Sequence, residues 1–557
     1  MQLARDRQEG GAVARIAARF GRQDAALSML VSTREDLLDR WHGLDKALID
    51  ASIGAGGQQV GADPRLRAEL TGLDRRIAQQ DVLIEQRIPR YREHISPQPL
   101  GLAAAQSLLG ADEALLSYLI DDNASYLLVV RSDRFLFLNL DIGHTELVSI
   151  VKRLREQLDY PTGDEGARSV FRAFPVAQAN QLYRRILGAA EPALQGVSHL
   201  MIVADDSLRA LPFATLVTEP LILPIKVSED HAKVAWFGRR YALTMLPSEG
   251  SLQSLRRLAP VATGTKPFTG FGDPALGGEE RSARSSTGAR SFSRNALANV
   301  SQVWSFAPLP ETRYALYAMA DILRADQGEV HLQEEATEAN VKRIDLSNYN
   351  VIAFATHGFM ADDFKGLAES ALVFSPPRQA TERDDGLLTA SEIAQMRLAA
   401  ELVILTATST AAADGTPDRE GMSGLARAFL HAGSRALLAT HWAVPSDATL
   451  KLVTRTLRER NRGVGNAEAL RRAMLPLMNG EDRLAFTHPS YWAPFMVIGE
   501  GNRASAASST APAAPGVRQA PAPRPAAQPA GQTSFGSGSP GFGSFLQGIF
   551  GAGSSSK

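Results

Sequence analysis

The chain of 557 residues contains no cysteine. That absence excludes disulfides, thiolate metal sites and a cysteine nucleophile from the sequence as it stands. It leaves the redox compartment open, because a chain without thiols tolerates either environment. Net charge is also nearly absent: 59 basic residues against 60 acidic ones leave -1 at pH 7. Bulk electrostatics therefore give no reason to expect nucleic acid or an anionic membrane as a partner. No apolar run approaches the roughly 18 residues of a membrane span. The amino terminus, Met1 to Glu9, is polar, and no apolar stretch follows it, which argues against a secretory signal. Cytoplasmic is the expected location. There is no Gly-x-x-x-x-Gly-Lys phosphate loop, no dinucleotide fingerprint after a strand, and no histidine pair at His-x-x-x-His spacing. No cofactor and no metal are expected.

What is present falls into three parts. Residues 1–98 are expected to be helical. Ser32 and Glu35 make a capping-box pattern ahead of Leu37, Trp41, Leu44 and Leu48, an apolar stripe at helical spacing. After a glycine-rich break, Asp63-Pro64 fits a helix start, and Leu66, Leu70, Leu73, Ile77, Ile84 and Ile88 share one face. Two such helices suggest an antiparallel hairpin that either packs on the next domain or receives a partner. Residues 502–557 are dominated by Ala, Gly, Pro and Ser and hold no acid, so a disordered tail is expected. Its apolar end, Phe542 to Phe550, is a candidate for weak membrane or partner docking.

Between them, residues 99–501 read as α/β. Leu115–Ile120, Tyr126–Arg131 and Phe135–Leu140 suggest an antiparallel meander. Helical patterns cover Val151–Leu158 and Ala177–Leu187, and Leu200–Ala204 reads as a buried strand. Residues 277–294 are polar, basic and low in complexity: an exposed insertion, or a cleavage or docking site. Beyond residue 300, strands Val351–Ala355, Leu402–Leu405 and Ala436–Thr440 alternate with helices Thr337–Ile344, Gly424–Ala432 and Ser446–Arg460. That order implies a mainly parallel sheet flanked by helices.

Two of these strands run straight into turns that hold reactive side chains. One passes from Val351-Ile352-Ala353-Phe354-Ala355 into Thr356-His357-Gly358, the other from Leu402-Val403-Ile404-Leu405 into Thr406-Ala407-Thr408-Ser409. Paired strands ending in an imidazole and a nucleophile are how a parallel sheet presents a dyad at its carboxyl edge.

With these segments the chain resembles the CHAT domain family, caspase-like domains often found behind tetratricopeptide repeats. The likeness rests on Ala355-Thr356-His357-Gly358, Leu405 to Thr410, Glu420-Gly421, Leu425 to Phe429 and Ala432 to Ala436. It continues through His441-Trp442-Ala443-Val444 and His488 to Phe495, with Leu211 to Ala214 and Phe271 to Pro274 upstream. The resemblance implies a caspase-like fold over 99–501, with a degenerate half at about 99–260 and a catalytic-type half at about 261–501. It further implies a cysteine endopeptidase with a His/Cys dyad, His357 as base and the nucleophile at position 408, and backbone N–H groups near Gly358 holding the oxyanion. No full repeat of about 34 residues precedes the domain.

The family's cysteine is Thr408 in this chain. A thiol with a pKa of about 8.5 can be drawn into thiolate form, whereas an alcohol needs concerted proton removal. Threonine nucleophiles normally use their own terminal amine, and Thr408 is internal. Ser409, one residue on, should face away from His357. The sequence therefore implies a peptidase-like scaffold, inactive as written, that acts through a protein partner. Two alternatives stay open: an active endopeptidase using Thr408, or a native form carrying cysteine there. Asp414, Glu420 and Asp447 are candidate pocket carboxylates for a basic Arg or Lys side chain, against ordinary capping or solvated roles. His441 and His488 are expected to satisfy local hydrogen bonds.

Overall fold

The computed structural model describes residues 64–85, 100–122, 124–158, 173–204, 206–221, 224–257, 264–277, 300–359, 369–381, 383–406, 424–442 and 446–502, together with Thr33, Leu37, Arg40 and Leu44. Fourteen strands occur among these residues. They are β1 (Glu113–Ile120), β2 (Ser125–Val130), β3 (Phe135–Leu140), β4 (His199–Val203), β5 (Ala242–Met245), β6 (Lys266–Pro274) and β7 (Val330–Gln333). The chain continues with β8 (Tyr349–Ala355), β9 (Gly358–Phe359), β10 (Ala371–Val373), β11 (Leu387–Thr389), β12 (Leu402–Leu405), β13 (Ala436–Thr440) and β14 (Phe495–Gly499).

Eleven strands make one sheet in the order β3-β2-β1-β4-β5-β14-β13-β12-β8-β6-β7, and β11-β10-β9 make a small second one. The expected meander is present: β1, β2 and β3 pair antiparallel. From β1 inward the ladders are parallel except at β13–β14, where Leu437 faces Ile498 in antiparallel register. That reversal divides the sheet. β1, β4, β5 and β14 run one way, and β13, β12, β8, β6 and β7 run the other. The two halves thus share one hydrogen-bonded sheet, joined where β14 meets β13, and their carboxyl edges lie on opposite sides of it.

The central strands are apolar on both faces because helices cover both faces. Every residue of β4, β12 and β13 is buried. In the first half, alternation sorts side chains between two cores. Leu116, Tyr118, Leu127, Val129, Leu200 and Ile202 join the main cluster, while Leu115, Val130, Met201 and Val203 join a smaller one with Leu246 and Leu252.

The helices follow from local signals. Thr337 caps the helix Glu338–Arg343 by accepting from the Asn340 N–H (3.1 Å), and a capping box at Thr389 and Glu392 starts Ala390–Ala394. Gly433 ends the helix Gly424–Ala432 at φ +114°, where a Cβ would lie 2.3 Å from the Leu398 carbonyl oxygen. The expected helix at Val151–Leu158 instead spans His144–Arg155, because Leu147 extends the stripe of Ile150, Val151 and Leu154 one turn earlier. Pro64–Glu85 is helical as expected; Arg40, also helical, reaches it with an ion pair to Glu69 at 2.7 Å. The expected insertion at 277–294 lies outside the described residues from Gly278 on, and the expected tail does so from residue 503 on.

Candidate active-site edge

β8 and β12 are parallel neighbours, with Leu402 facing Val351 and Leu405 facing Phe354, and the Thr406 N–H donates to the Phe354 carbonyl at 3.1 Å. Both strands therefore deliver their next residues to the same edge. Thr356 is buried, and its hydroxyl donates to the Val373 carbonyl, anchoring the turn to β10. His357 follows, half-buried. Its ring Nε2 lies 2.7 Å from the Ala307 carbonyl oxygen. A carbonyl can only accept, so Nε2 carries the proton and a neutral ring presents its lone pair at Nδ1. The ring packs beside Phe359 (6.2 Å, 8° between planes) and Phe306 (5.9 Å, 43°).

The small sheet sets the backbone after His357. Val373 N–H donates to the His357 carbonyl at 2.9 Å, and Leu372 faces Gly358. Antiparallel pairs alternate, so Leu372–Gly358 is a non-bonded pair and the Gly358 N–H points away from β10. Leu276, Val303, Ala371, Val373 and Leu387 form a separate apolar cluster under this sheet, with Phe306 and Phe359 packed on it. Ala307 and this cluster were not legible as site elements, since a two-residue strand leaves no periodicity.

Beneath the edge, Phe354 is fully buried. Its ring lies 5.6 Å from Phe271, 6.2 Å from Phe374 and 5.3 Å from Phe429. Next to it in the sheet, Asp273 is 1% exposed, stands at φ +42° and is gripped by Arg313, whose Nε donates at 2.8 Å.

The other candidates part company. Asp447 is 53% exposed in the first turn of the helix Ser446–Asn461; it accepts from the Ala448 N–H at 2.8 Å and stands 3.7 Å from Arg483. These are capping and solvated roles. Thr408, Ser409, Asp414 and Glu420 lie outside the described residues. His488 behaves as expected, its Nδ1 2.7 Å from the Ser490 hydroxyl and accepting from the Ser490 N–H at a helix start. His441 does not. It is 1% exposed, and among the described residues neither ring nitrogen has a hydrogen-bond partner. Burial first, then the charge of Arg155, drives its pKa well below the imidazole range. Arg155 itself donates to the His441 carbonyl at 3.2 Å and lies 5.0 Å over the Trp442 ring.

Among the described residues no three His, Asp or Glu side chains converge as metal ligands would. A cavity of about 300 Å³ opens elsewhere, between Ser198, His199, Arg240, Glu468, Arg471 and Asn502, and shares no residue with the surroundings of His357.

The CHAT domain sequence profile matches residues 176–500, more than half of the chain. The chain belongs to the CHAT domain family. Among curated proteins, tetratricopeptide repeat protein 28 from mouse is 34% identical over 123 residues, 22% of this chain and 5% of the relative. Its human counterpart is 26% identical over 235 residues, 37% of this chain and 9% of the relative. The chain thus spans less than a tenth of these relatives' length. Among solved structures, the Saccharomyces cerevisiae separase–securin complex is similar at 11% identity and TM-score 0.38, over 71% of this chain and 30% of that one. A solved protease structure is similar at 11% identity and TM-score 0.32, over 64% of this chain and 75% of that one. No helix among the described residues is long and apolar enough to cross a membrane.

Proposed function

We propose that this CHAT-domain chain is a peptidase-like scaffold with its dyad positions at His357 and 408, which as written binds a protein partner rather than cleaving it. One observation carries the reading. β8 and β12 pair at a constant separation of 51 positions, Leu402 with Val351 through Leu405 with Phe354, and Thr408 follows His357 by the same 51. Registered residues of parallel neighbours share a face, with strands about 4.8 Å apart. That equal spacing beyond the paired strands supports taking position 408 as the partner of His357 in the dyad.

The geometry of His357 supports a base in this position. Its proton is held on Nε2 by Ala307, so Nδ1 is the nitrogen able to accept a proton from a nucleophile. The Gly358 N–H, turned away from the β10 ladder, suits an oxyanion donor. What is missing is acidity at position 408. The alcohol holds its proton far more tightly than a thiol, and its β-methyl restricts χ1.

The test is peptide cleavage by three full-length versions: the chain itself, Thr408→Cys, and Thr408→Cys with His357→Ala. Each is incubated with a mixed peptide library read by mass spectrometry. Cleavage by Thr408→Cys alone supports the reading, and the residue before the cut names the pocket. Cleavage by the unmodified chain overturns it in favour of an active endopeptidase using Thr408. A native form with cysteine at 408 would behave as Thr408→Cys does.

A further inference from the structure

Among the described residues, the outer edge of β3 is open. At the turn between β2 and β3, the Arg131 N–H donates to the Arg134 carbonyl at 2.9 Å, which fixes the hydrogen-bonded pairs of that ladder at Arg134, Leu136, Leu138 and Leu140. Alternation then turns the N–H and C=O groups of Phe135, Phe137 and Asn139 outward. Among the described residues no backbone group meets them.

The side chains make the same point. Phe135 and Phe137 are 55% and 54% exposed, and the Phe137 ring stacks on Tyr126 at 5.6 Å and 15°. On the other face, Leu136 and Leu138 pack on the main core beside Ala193. β3 has no charge, proline or bulge, the usual devices that keep a sheet edge from pairing. The far edge is managed differently. β7 has only four residues, and Gln333 ends it at φ +50° with its side-chain amide donating to the Asp273 carbonyl at 2.9 Å.

We propose that β3 pairs antiparallel with β3 of a second copy about a two-fold axis at Phe137, joining two sheets into one. An antiparallel strand is complementary to itself under such an axis, so one patch supplies both sides. Phe137 then faces its own copy, and Phe135 faces Asn139 of the other chain. Leu136 faces Leu138. The outward groups of the three residues form about six interchain backbone hydrogen bonds. A buried Phe hides about 150–250 Å²; at just over half exposure, four rings contribute about 400 Å², well under the roughly 1,200 Å² of a stable interface. The dimer is therefore reversible and concentration-dependent.

The experiment is sedimentation velocity of the full chain from low to high micromolar concentration, with amide hydrogen exchange at both ends of the range. The expected result is a shift from monomer to dimer, with slower exchange at Phe135, Phe137 and Asn139. Phe137→Lys puts a charge on the exposed face and leaves the β2–β3 backbone hydrogen bonds in place, at the loss of the stacking on Tyr126. Asn139→Pro removes one outward donor only. Each should weaken self-association by at least about tenfold, while circular dichroism and melting stay close to those of the parent. A chain that remains monomeric throughout overturns the proposal and leaves the edge to an extended peptide of another protein. A dimer that persists undiminished in both variants, or forms without protecting the three amides, overturns it as well.

Discussion

Acidification should destabilise this protein through His441. The residue follows β13 on the edge that β8 and β12 also reach, and it is sealed there with neither ring nitrogen hydrogen-bonded among the described residues. Burial and the neighbouring Arg155 both disfavour the imidazolium, so the folded-state pKa lies well below the ordinary value. The unfolded chain then binds a proton that the folded one refuses. Stability is full above the unfolded pKa of about 6.5 and is lost as pH falls below it, by up to about 1.4 kcal/mol per pH unit. Between about pH 7.5 and about pH 5.5 this one group should cost about 1.4 kcal/mol, about three-quarters of it below about pH 6.5. Urea unfolding of the parent and of His441→Leu at both pH values isolates the effect, because other groups titrate alike in the two proteins. The stability of the parent relative to the variant should fall by about that amount on acidification. A difference that does not change with pH would refute the reasoning and require a partner for the ring.

Two further expectations concern the core and the opposite half of the sheet. Phe354→Ala removes the ring that Phe271, Phe374 and Phe429 enclose under the His357 turn, and should cost about 3–5 kcal/mol in denaturant unfolding; a loss under about 1 kcal/mol would mean that the site repacks. Glu113, 2% exposed, is opposed by burial, yet hydrogen bonds from Arg256, His199 and the Gly110 N–H outweigh that and hold its pKa below the carboxylate range. Its stabilisation is present above the unfolded value of about 4.3 and is lost as pH falls further, so Glu113→Gln should flatten the acid limb of the stability profile.

Much of this architecture is written in local pattern. β12 and β13 coincide with the apolar runs Leu402–Leu405 and Ala436–Thr440, since a central parallel strand must be apolar on both faces. His357 was legible for the same reason: a run of that kind ending in His-Gly presents the imidazole at a strand terminus. β5 and β14 were not. Thr244 interrupts the apolar run of β5, β14 directly follows the turn at Ala493-Pro494, and the pairing of the two is set by sequence-distant contacts such as Val497 with Thr244. The reversal of strand direction at β13–β14 follows from that pairing and had no local signal. The buried isolation of His441 was equally hidden, because nothing in His-Trp-Ala-Val says that Arg155, nearly three hundred positions earlier, closes over the neighbouring ring.

These positions bear differently on the chemistry. The acidity of residue 408 depends on side-chain identity, which one substitution restores. The orientation of His357 depends on Ala307, on the ladder from Val373 and on the aromatic packing of Phe306 and Phe359, none of which involves residue 408. On the proposed reading, a histidine held in this way keeps its orientation whichever residue stands at 408. Introducing a thiol at 408 should therefore be tested before any redesign of the histidine's surroundings.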